Sequence, residues 1–353
     1  MNEPLPVILL GGSGYVAGEL LRLISLHPRL KLAHIISSSR QEEPIADTFE
    51  HLASVYPIEK FISIERCLEK LGEFPHWITI SAAPHGASAG LIDQFLQNAE
   101  KANVQMTVVD ASADFRSPSS ERFMEIYGQA HAAPHRLESF SCAVPEHLDT
   151  LITPHAAQPG CFATSMLLAI VPLIKLGLVE PEFFVSAITG STGAGRTPRD
   201  TTHHPMRQSN LFAYQPLRHR HGPEVCDIVQ ACTGSDVTLH FVPQSGPFSR
   251  GIYATIFAPC AGIADQELIA TQLTAFYKDS DFVNIVSTPP KLKDIVGTNN
   301  AALSVNVDKG TVAVCCVIDN LVKGAAGGAI QWVNRLAGWP DSEGLIIAPA
   351  GWV

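Results

Sequence analysis

The stretch Pro6-Val-Ile-Leu-Leu10, followed at once by Gly11-Gly-Ser-Gly-Tyr-Val-Ala-Gly18, leaves this chain few folds to adopt. An unbroken apolar run of that length reads as a parallel strand buried on both faces, and the residues that follow, through about Leu26, can propagate a helix. A strand that passes through a glycine turn straight into a helix is the dinucleotide-binding arrangement. The glycines let the backbone approach a pyrophosphate seated on the helix N-terminus, and Gly18 lets the helix pack closely on the sheet. The spacing Gly11, Gly14, Gly18 is a GxxGxxxG variant of the commoner GxGxxG.

The cofactor contacts expected from this motif are Gly11, Gly12, Ser13, Gly14, Tyr15 and Val16. A second buried run, Leu30 to Ile36, ends in Ser37-Ser-Ser-Arg40, where an NAD site would carry an acid for the ribose 2′-hydroxyl. Hydroxyls and a guanidinium at Ser37, Ser38, Ser39 and Arg40 suit a 2′-phosphate instead, which favours NADP. Strands from Trp77 to Ala82 and from Gln105 to Asp110 flank a helix from about Ala87 to Ala102. Their carboxyl ends bring Pro84, His85 and Ser112-Ala-Asp-Phe-Arg116 to the edge where open parallel sheets bind ligands. Arg116 is the leading ligand for an anionic substrate group.

At 353 residues and 46% apolar content the chain suggests two domains with a core in each. A net charge of −10, with no block of like charges, argues against nucleic acid or an anionic membrane as the main partner. No run approaches the roughly 20 apolar residues of a membrane span, so the default setting is the cytoplasm. The eight cysteines lack CxxC spacing and form neither a zinc pattern nor a disulfide framework; no metal is expected.

One cysteine stands apart. In Gln158-Pro-Gly-Cys-Phe-Ala-Thr-Ser165 a Pro-Gly turn precedes residues able to start a helix, which puts Cys161 at or within one residue of the helix N-terminus. Unpaired amide donors and the positive end of the helix dipole stabilise a thiolate there. Beyond it come strand-like runs at Phe183 to Thr189, Val237 to Val242, Gly251 to Ala258, and Ala302 to Ile318 in two parts. These predict a mixed or antiparallel sheet with helices on one face, an α+β substrate domain. The long irregular stretch Gly190 to Gly222 carries Arg196, Arg199 and Arg218, and leads into His219-Arg220-His221-Gly-Pro-Glu224. A thiol that attacks a carbonyl needs an acid/base nearby, and either imidazole suits. Pro223 belongs in the first turn of a helix, so both histidines would precede it. His219 is the expected acid/base, with Glu224 folding back to orient its ring and His221 as a substrate or structural contact. Asp319 to Asn334 is expected to form a helix with a glycine-rich start that packs back beside the first domain.

Together GGSGYVAGEL, APHGAS, SADFR, PGCFATS, GSTGAGR, HRHGPEV, SRGIYATI and DNLVKGAAGGA resemble the N-acetyl-gamma-glutamyl-phosphate reductases of the acetylated route to arginine, over essentially the whole chain. The resemblance implies an α/β Rossmann-type NADP domain (residues 1–157 with 319–353) and an α+β substrate domain (158–318). The second domain would be of the glyceraldehyde-3-phosphate and aspartate-semialdehyde dehydrogenase type, and the enzyme a homo-oligomer, dimer or tetramer. It implies Cys161 as nucleophile and the HRH segment (His219, His221) as acid/base. Cys161 would attack a γ-acyl phosphate and the resulting thioester would be reduced by NADPH. Asn320 is then expected at the cofactor. Gln158, Ser191, Gly193, Arg196, Arg220 and Glu224 are expected, with Arg116, at the substrate. The chain departs from the family's common NPGCYPT, with Gln158, Phe162 and Ala163 replacing Asn, Tyr and Pro. Alternatives to this reading are a carrier-protein-linked aminoadipyl-phosphate reductase of lysine synthesis and a non-catalytic NADP-binding sensor.

Overall fold

A computed structural model describes residues 3–148, 153–262 and 265–351. The chain divides into two compact units: the first is Met1–Cys142, Thr150–Gln158 and Ala329–Leu345, the second Ala143–Asp149, Pro159–Gly328 and Ile346–Val353.

The first unit is built on a sheet of seven strands: β1 (Leu5–Leu10), β2 (Leu30–Ile36), β3 (Phe61–Ile62), β4 (His76–Ser81), β5 (Gln105–Asp110), β6 (Phe140–Cys142) and β7 (His155–Ala157). They lie in the order β3-β2-β1-β4-β5-β7-β6, and every pairing is parallel. Such a sheet must be covered on both faces, which is why Val7 to Leu10 and Trp77, Ile78 and Ile80 are apolar without alternation and fully buried. Helices α1 (Tyr15–Leu26) and α2 (Ser88–Ala102) follow β1 and β4. The strand order reverses between β1 and β4, where Leu10 pairs with Ser81, so the ligand crevice of this unit opens at those two strand ends.

At the opposite end of α1 a closed polar cluster fastens the chain's C-terminal segment. Asn334 Nδ2 donates to the carbonyls of Asp341 (3.0 Å) and Glu343 (2.9 Å), and its Oδ1 accepts from His27 Nε2 at 3.0 Å. His27 Nδ1 accepts the Arg29 N–H. Burial lowers the pKa of this imidazole below the ordinary histidine value.

The second unit is a seven-stranded mixed sheet in the order β12-β13-β14-β11-β8-β10-β9. Its strands are β8 (Glu182–Thr189), β9 (Phe212–Ala213), β10 (Thr238–Ser245), β11 (Ile252–Pro259), β12 (Val283–Ile285), β13 (Ala301–Asp308) and β14 (Thr311–Ile318). The run expected from Ala302 to Ile318 is the β13–β14 hairpin; Lys309 and Gly310 at its tip both take positive φ (45° and 77°), as a two-residue turn requires. Burial alternates along these strands. Phe183, Val185 and Ala187 and, on β11, Ile252, Ala254 and Ile256 are buried. Helices α3 (Cys161–Lys175), α4 (His221–Thr233) and α5 (Gln266–Phe276) pack on the sheet. On the alternate face Phe184 and Phe257, direct cross-strand partners, are 47% and 40% exposed, and His240 stacks on Phe184.

Two expected boundaries move. Helix α4 begins at His221 rather than at the Gly222-Pro223 step, so His221 lies in its first turn. The helix expected from Asp319 is a π-turn over Val322–Ala326, followed by α6 (Gly327–Leu336). Among the described residues no helix is long and apolar enough to cross a membrane.

Candidate active site

In the first unit, the glycine turn is shaped by close approaches of two kinds. Gly11 takes φ 72°, and a Cβ there would strike the main chain of Ala82 and Ala83 at the end of β4. A Cβ on Gly12 would strike the Ile35 side chain. Gly14 differs: it caps α1, and a Cβ there would meet nothing within 4 Å. That open side faces the first turn of α1, which begins at Tyr15, Val16 and Ala17 and carries no acidic residue, so a phosphate fits its unpaired amides. Ser13 lies in the turn, its N–H bonded to the Gly11 carbonyl.

At the end of β2, Ser37 is buried and its hydroxyl lies 3.4 Å from that of Ser39, while Ser38 and Ser39 are exposed. Arg40 pairs with Glu43 at 2.9 Å, both half-exposed, an interaction weak enough for a phosphate to compete with. Past β4, Pro84 and His85 lead to α2; His85 Nδ1 accepts the Ala113 N–H at 3.0 Å, which puts its proton on Nε2. Buried Asp110 accepts from Ser88, from the Ser112 hydroxyl and N–H, and from Phe115 N–H. Burial first and Asp114 second raise its pKa above the ordinary carboxyl value. Asp114 accepts the N–H groups of Gly86 and Ala89. The Ser112–Arg116 loop is thus tied to the ends of β5 and α2 by hydrogen bonds. Arg116 is 7% exposed, with its guanidinium donating to the Ala111 carbonyl. Gln158 is buried, and its N–H bonds the Asp110 carbonyl at 2.8 Å.

In the second unit Cys161 is the first residue of α3, and Gly160 is its N-cap. Glu224 Oε1 accepts the Gly160 N–H at 2.7 Å. The His221 ring lies directly over the Gly160 Cα, in the space a Cβ would need, so only glycine fits there. Glu224, expected to orient His219, is placed on the turn that leads into Cys161. His219 Nδ1 accepts the His221 N–H at 3.2 Å, leaving its proton on Nε2. Burial, then neighbouring Arg220, lowers the His219 imidazole to about 4. Phe162, in place of the family's tyrosine, stands edge-on to His219 and His221 at 5.8 and 6.1 Å.

On the other side of the thiol the π-turn approaches so closely that a methyl group on Gly324 would come within 2.8 Å of Cys161 Cβ. This turn is held by residues the motif reading left out or cast otherwise. Buried Asp319 accepts from Leu321 N–H, Val322 N–H and Gly297 N–H and pairs with Arg250. Asn320, expected at the cofactor, accepts the Gly251 N–H at 2.7 Å and donates to Thr192 Oγ1 at 3.0 Å. It thereby fastens the Ser191–Ala194 turn, and Ser191 and Gly193 with it, beside the π-turn. Lys323 and Glu146, both buried, form an ion pair. Arg196, Arg199, Arg218 and Arg220 are exposed.

A parallel nucleotide-type sheet, a mixed sheet and a cysteine heading a helix define the semialdehyde dehydrogenase class. Its NAD-binding domain matches residues 6–150 and its dimerisation domain residues 161–320. Aspartate semialdehyde dehydrogenase II of Vibrio cholerae, complexed with ASA, shares the fold: TM-score 0.68, 15% identity, 96% of this chain and 99% of that one covered. A probable aspartate-semialdehyde dehydrogenase of Pseudomonas aeruginosa matches with TM-score 0.67 at 15% identity, covering 95% and 99%. Sequence relatives narrow the class. The N-acetyl-gamma-glutamyl-phosphate reductase of Rhodopirellula baltica is 32% identical over 98% of this chain and 99% of its own length. That of Methanopyrus kandleri is 35% identical over 96% of both. The chain belongs to the N-acetyl-gamma-glutamyl-phosphate reductase family, and it is an oxidoreductase with a nicotinamide cofactor domain.

Gly324→Ala should displace Cys161. Overpacking of this kind costs about 1–3 kcal/mol of stability, read from the urea midpoint, and turnover should fall at least about tenfold, because small misplacements of a reacting atom are costly. Turnover equal to the parent's would show that the π-turn does not set the thiol's position.

Proposed function

We propose that this enzyme reduces N-acetyl-gamma-glutamyl phosphate to N-acetylglutamate semialdehyde, releasing phosphate, with NADPH as reductant, in arginine synthesis. The observation that carries the reading is Cys161 at the head of α3, its turn gripped by Glu224 and His221, in a chain of this family.

Cys161 Sγ attacks the acyl carbon, a C–S bond forms, and phosphate leaves with the electrons of the C–O bond. Bound NADPH supplies hydride to the thioester carbonyl. His219, kept neutral by burial and bearing its proton on Nε2, donates a hydrogen bond to the oxygen anion of each tetrahedral adduct and passes protons as the last one collapses. Expulsion of Cys161 Sγ then frees the aldehyde. His221 positions Gly160. Arg116 binds phosphate, and Gln158, Ser191, Gly193, Arg196 and Arg220 meet the rest of the substrate.

The open space at Gly14 and the acid-free start of α1 fit a pyrophosphate, and Ser37 to Arg40 fit a 2′-phosphate. We assign self-association to the open sheet face bearing Phe184 and Phe257, a contiguous apolar pair in the segment that matches a dimerisation domain. A cytoplasmic setting, where NADPH is available, belongs to the same reading.

Phosphate-dependent oxidation of N-acetylglutamate semialdehyde, followed at the NADPH absorbance, tests the activity; preference for the aminoadipate semialdehyde would overturn the substrate. Cys161→Ser should lose at least about three orders of magnitude in rate and keep NADPH affinity, since an alcohol is not ionised at working pH. Ser39→Asp should raise the KM for NADPH by roughly tenfold or more through repulsion of the 2′-phosphate, with NADH little affected; equal losses for both would refute the NADP assignment. Phe184→Asp should shift the sedimentation coefficient to that of a smaller species, and an unchanged coefficient would remove that face from the interface.

A further inference from the structure

The stretch from His203 to Leu211 lies at the surface except at one position. Arg207, which ends the short helical turn His204–Arg207, is 8% exposed, while every other residue of the stretch is exposed. Its guanidinium is turned inward: Nη1 donates to the Ser245 hydroxyl at 2.9 Å, Nη2 to the Phe248 carbonyl at 3.4 Å, and the group lies 6.0 Å over the Phe212 ring. Its Nε is buried with no hydrogen-bond partner among the described residues, and no carboxylate of those residues pairs with it. Burial lowers its pKa, yet an arginine stays charged. A buried charge is ordinarily paired, because taking it out of water alone is costly. Arg207 is thus a desolvated cation with a donor left over.

A second donor stands beside it. Strands β8 and β10 run parallel and end together, Thr189 opposite Ser245, so both side chains leave the same face of the sheet. Thr189 is 3% exposed, and its Oγ1 is likewise buried with no partner among the described residues. The Ser191–Ala194 turn crosses these strand ends: a Cβ on Gly193 would come 3.1 Å from Thr189 Oγ1, and Ser191 N–H bonds the same Phe248 carbonyl that Arg207 holds. Asn320 fastens this turn through Thr192, and the π-turn that follows Asn320 meets Cys161.

We propose that Arg207, with Thr189 and Ser245, forms a carboxylate site that takes the α-carboxylate of the acyl substrate and so sets specificity for it. The assignment rests on the reading that this turn, through Ser191 and Gly193, meets an acetylglutamyl chain. Such a chain carries two anionic groups, its phosphate and its α-carboxylate, and Arg116 answers the first. A guanidinium edge beside a hydroxyl offers a donor to each oxygen of a carboxylate. An arginine already out of water attracts a counter-charge more strongly than exposed ones such as Arg196 and Arg220. The guanidinium points toward the strand ends and away from its exposed neighbours, which favours a small ligand over the surface of a second chain.

The test compares N-acetylglutamate semialdehyde with its α-carboxamide in phosphate-dependent oxidation by the full-length protein. Arg207→Met should lower the ratio of kcat/KM for the acid to that for the amide by at least about tenfold, through KM, as loss of a hydrogen bond between charged groups implies. Its urea midpoint should hold or rise, because an apolar side chain replaces a buried charge that has no counter-charge. Thr189→Val should lower the same ratio by roughly threefold, the loss of one hydrogen bond, and it decides the matter if Arg207→Met does not fold. A ratio equal to the parent's overturns the proposal. So does a rise in the KM for phosphate alone, which would make this the phosphate's place, and so does a changed sedimentation coefficient with an unchanged ratio, which would give Arg207 to a carboxylate of a second copy. If the parent oxidises neither semialdehyde, the proposed reaction fails and the site is read without it. Sodium acetate should then raise the parent's urea midpoint above that in sodium chloride of equal ionic strength, and Arg207→Met should abolish the difference. The same difference in both proteins, or none in the parent, overturns the site.

Discussion

The hydrogen bond from Gly160 N–H to Glu224 is the contact on which the placing of Cys161 in the second unit depends. A turn of proline and glycine has no side chain with which to fix itself. Here it is fixed from outside by α4, which offers two residues three apart on one helical face: the His221 ring over Gly160 Cα and the Glu224 carboxylate on its N–H. A carboxylate buried to 3% exposure needs such donors, and a buried N–H needs such an acceptor; leaving either unpaired costs about 1–3 kcal/mol. The thiol's position is therefore a property of the packing of α3 on α4, and the single short hydrogen bond transmits it.

The same device recurs on the other side of Cys161. Asp319 and Asn320 gather loop ends that have no regular partners of their own, and the π-turn they initiate lays Gly324 against Cys161. The Lys323–Glu146 pair beneath it is fully buried, with the ammonium 5.4 Å from the Phe282 ring centroid. Desolvation consumes most of what such a pair gains, so its consequence is geometric: either partner alone would be a stranded charge, and only one arrangement of the turn avoids that.

Much of this was legible in the sequence, for physical reasons that differ by region. The first sheet was readable because a doubly covered parallel strand must be apolar throughout and a phosphate-binding turn must be glycine; both demands are local. The Pro-Gly-Cys turn was readable for the same reason. What escaped were roles set by partners far along the chain. Glu224 reaches residue 160 and not its neighbour His219. The glycines after Asn320 read as a helix start, yet Gly324 is small because of Cys161, and a Cβ on Gly327 would strike the Asn299 and Val322 side chains, which yields a π-turn before α6.

Helix α3 carries one more such dependence. Pro172 sits inside it, has no N–H for the carbonyl of Leu168, and would ordinarily break the helix. That carbonyl instead accepts the hydroxyl of Tyr277 at 2.7 Å, while Tyr277 is also bonded to His147 Nε2 at 2.8 Å. The helix that begins at Cys161 is therefore incomplete until a residue more than a hundred positions downstream has been made and docked. On a ribosome the thiol would leave the exit tunnel long before its helix closes. The placing of Cys161 is in this way a late product of folding.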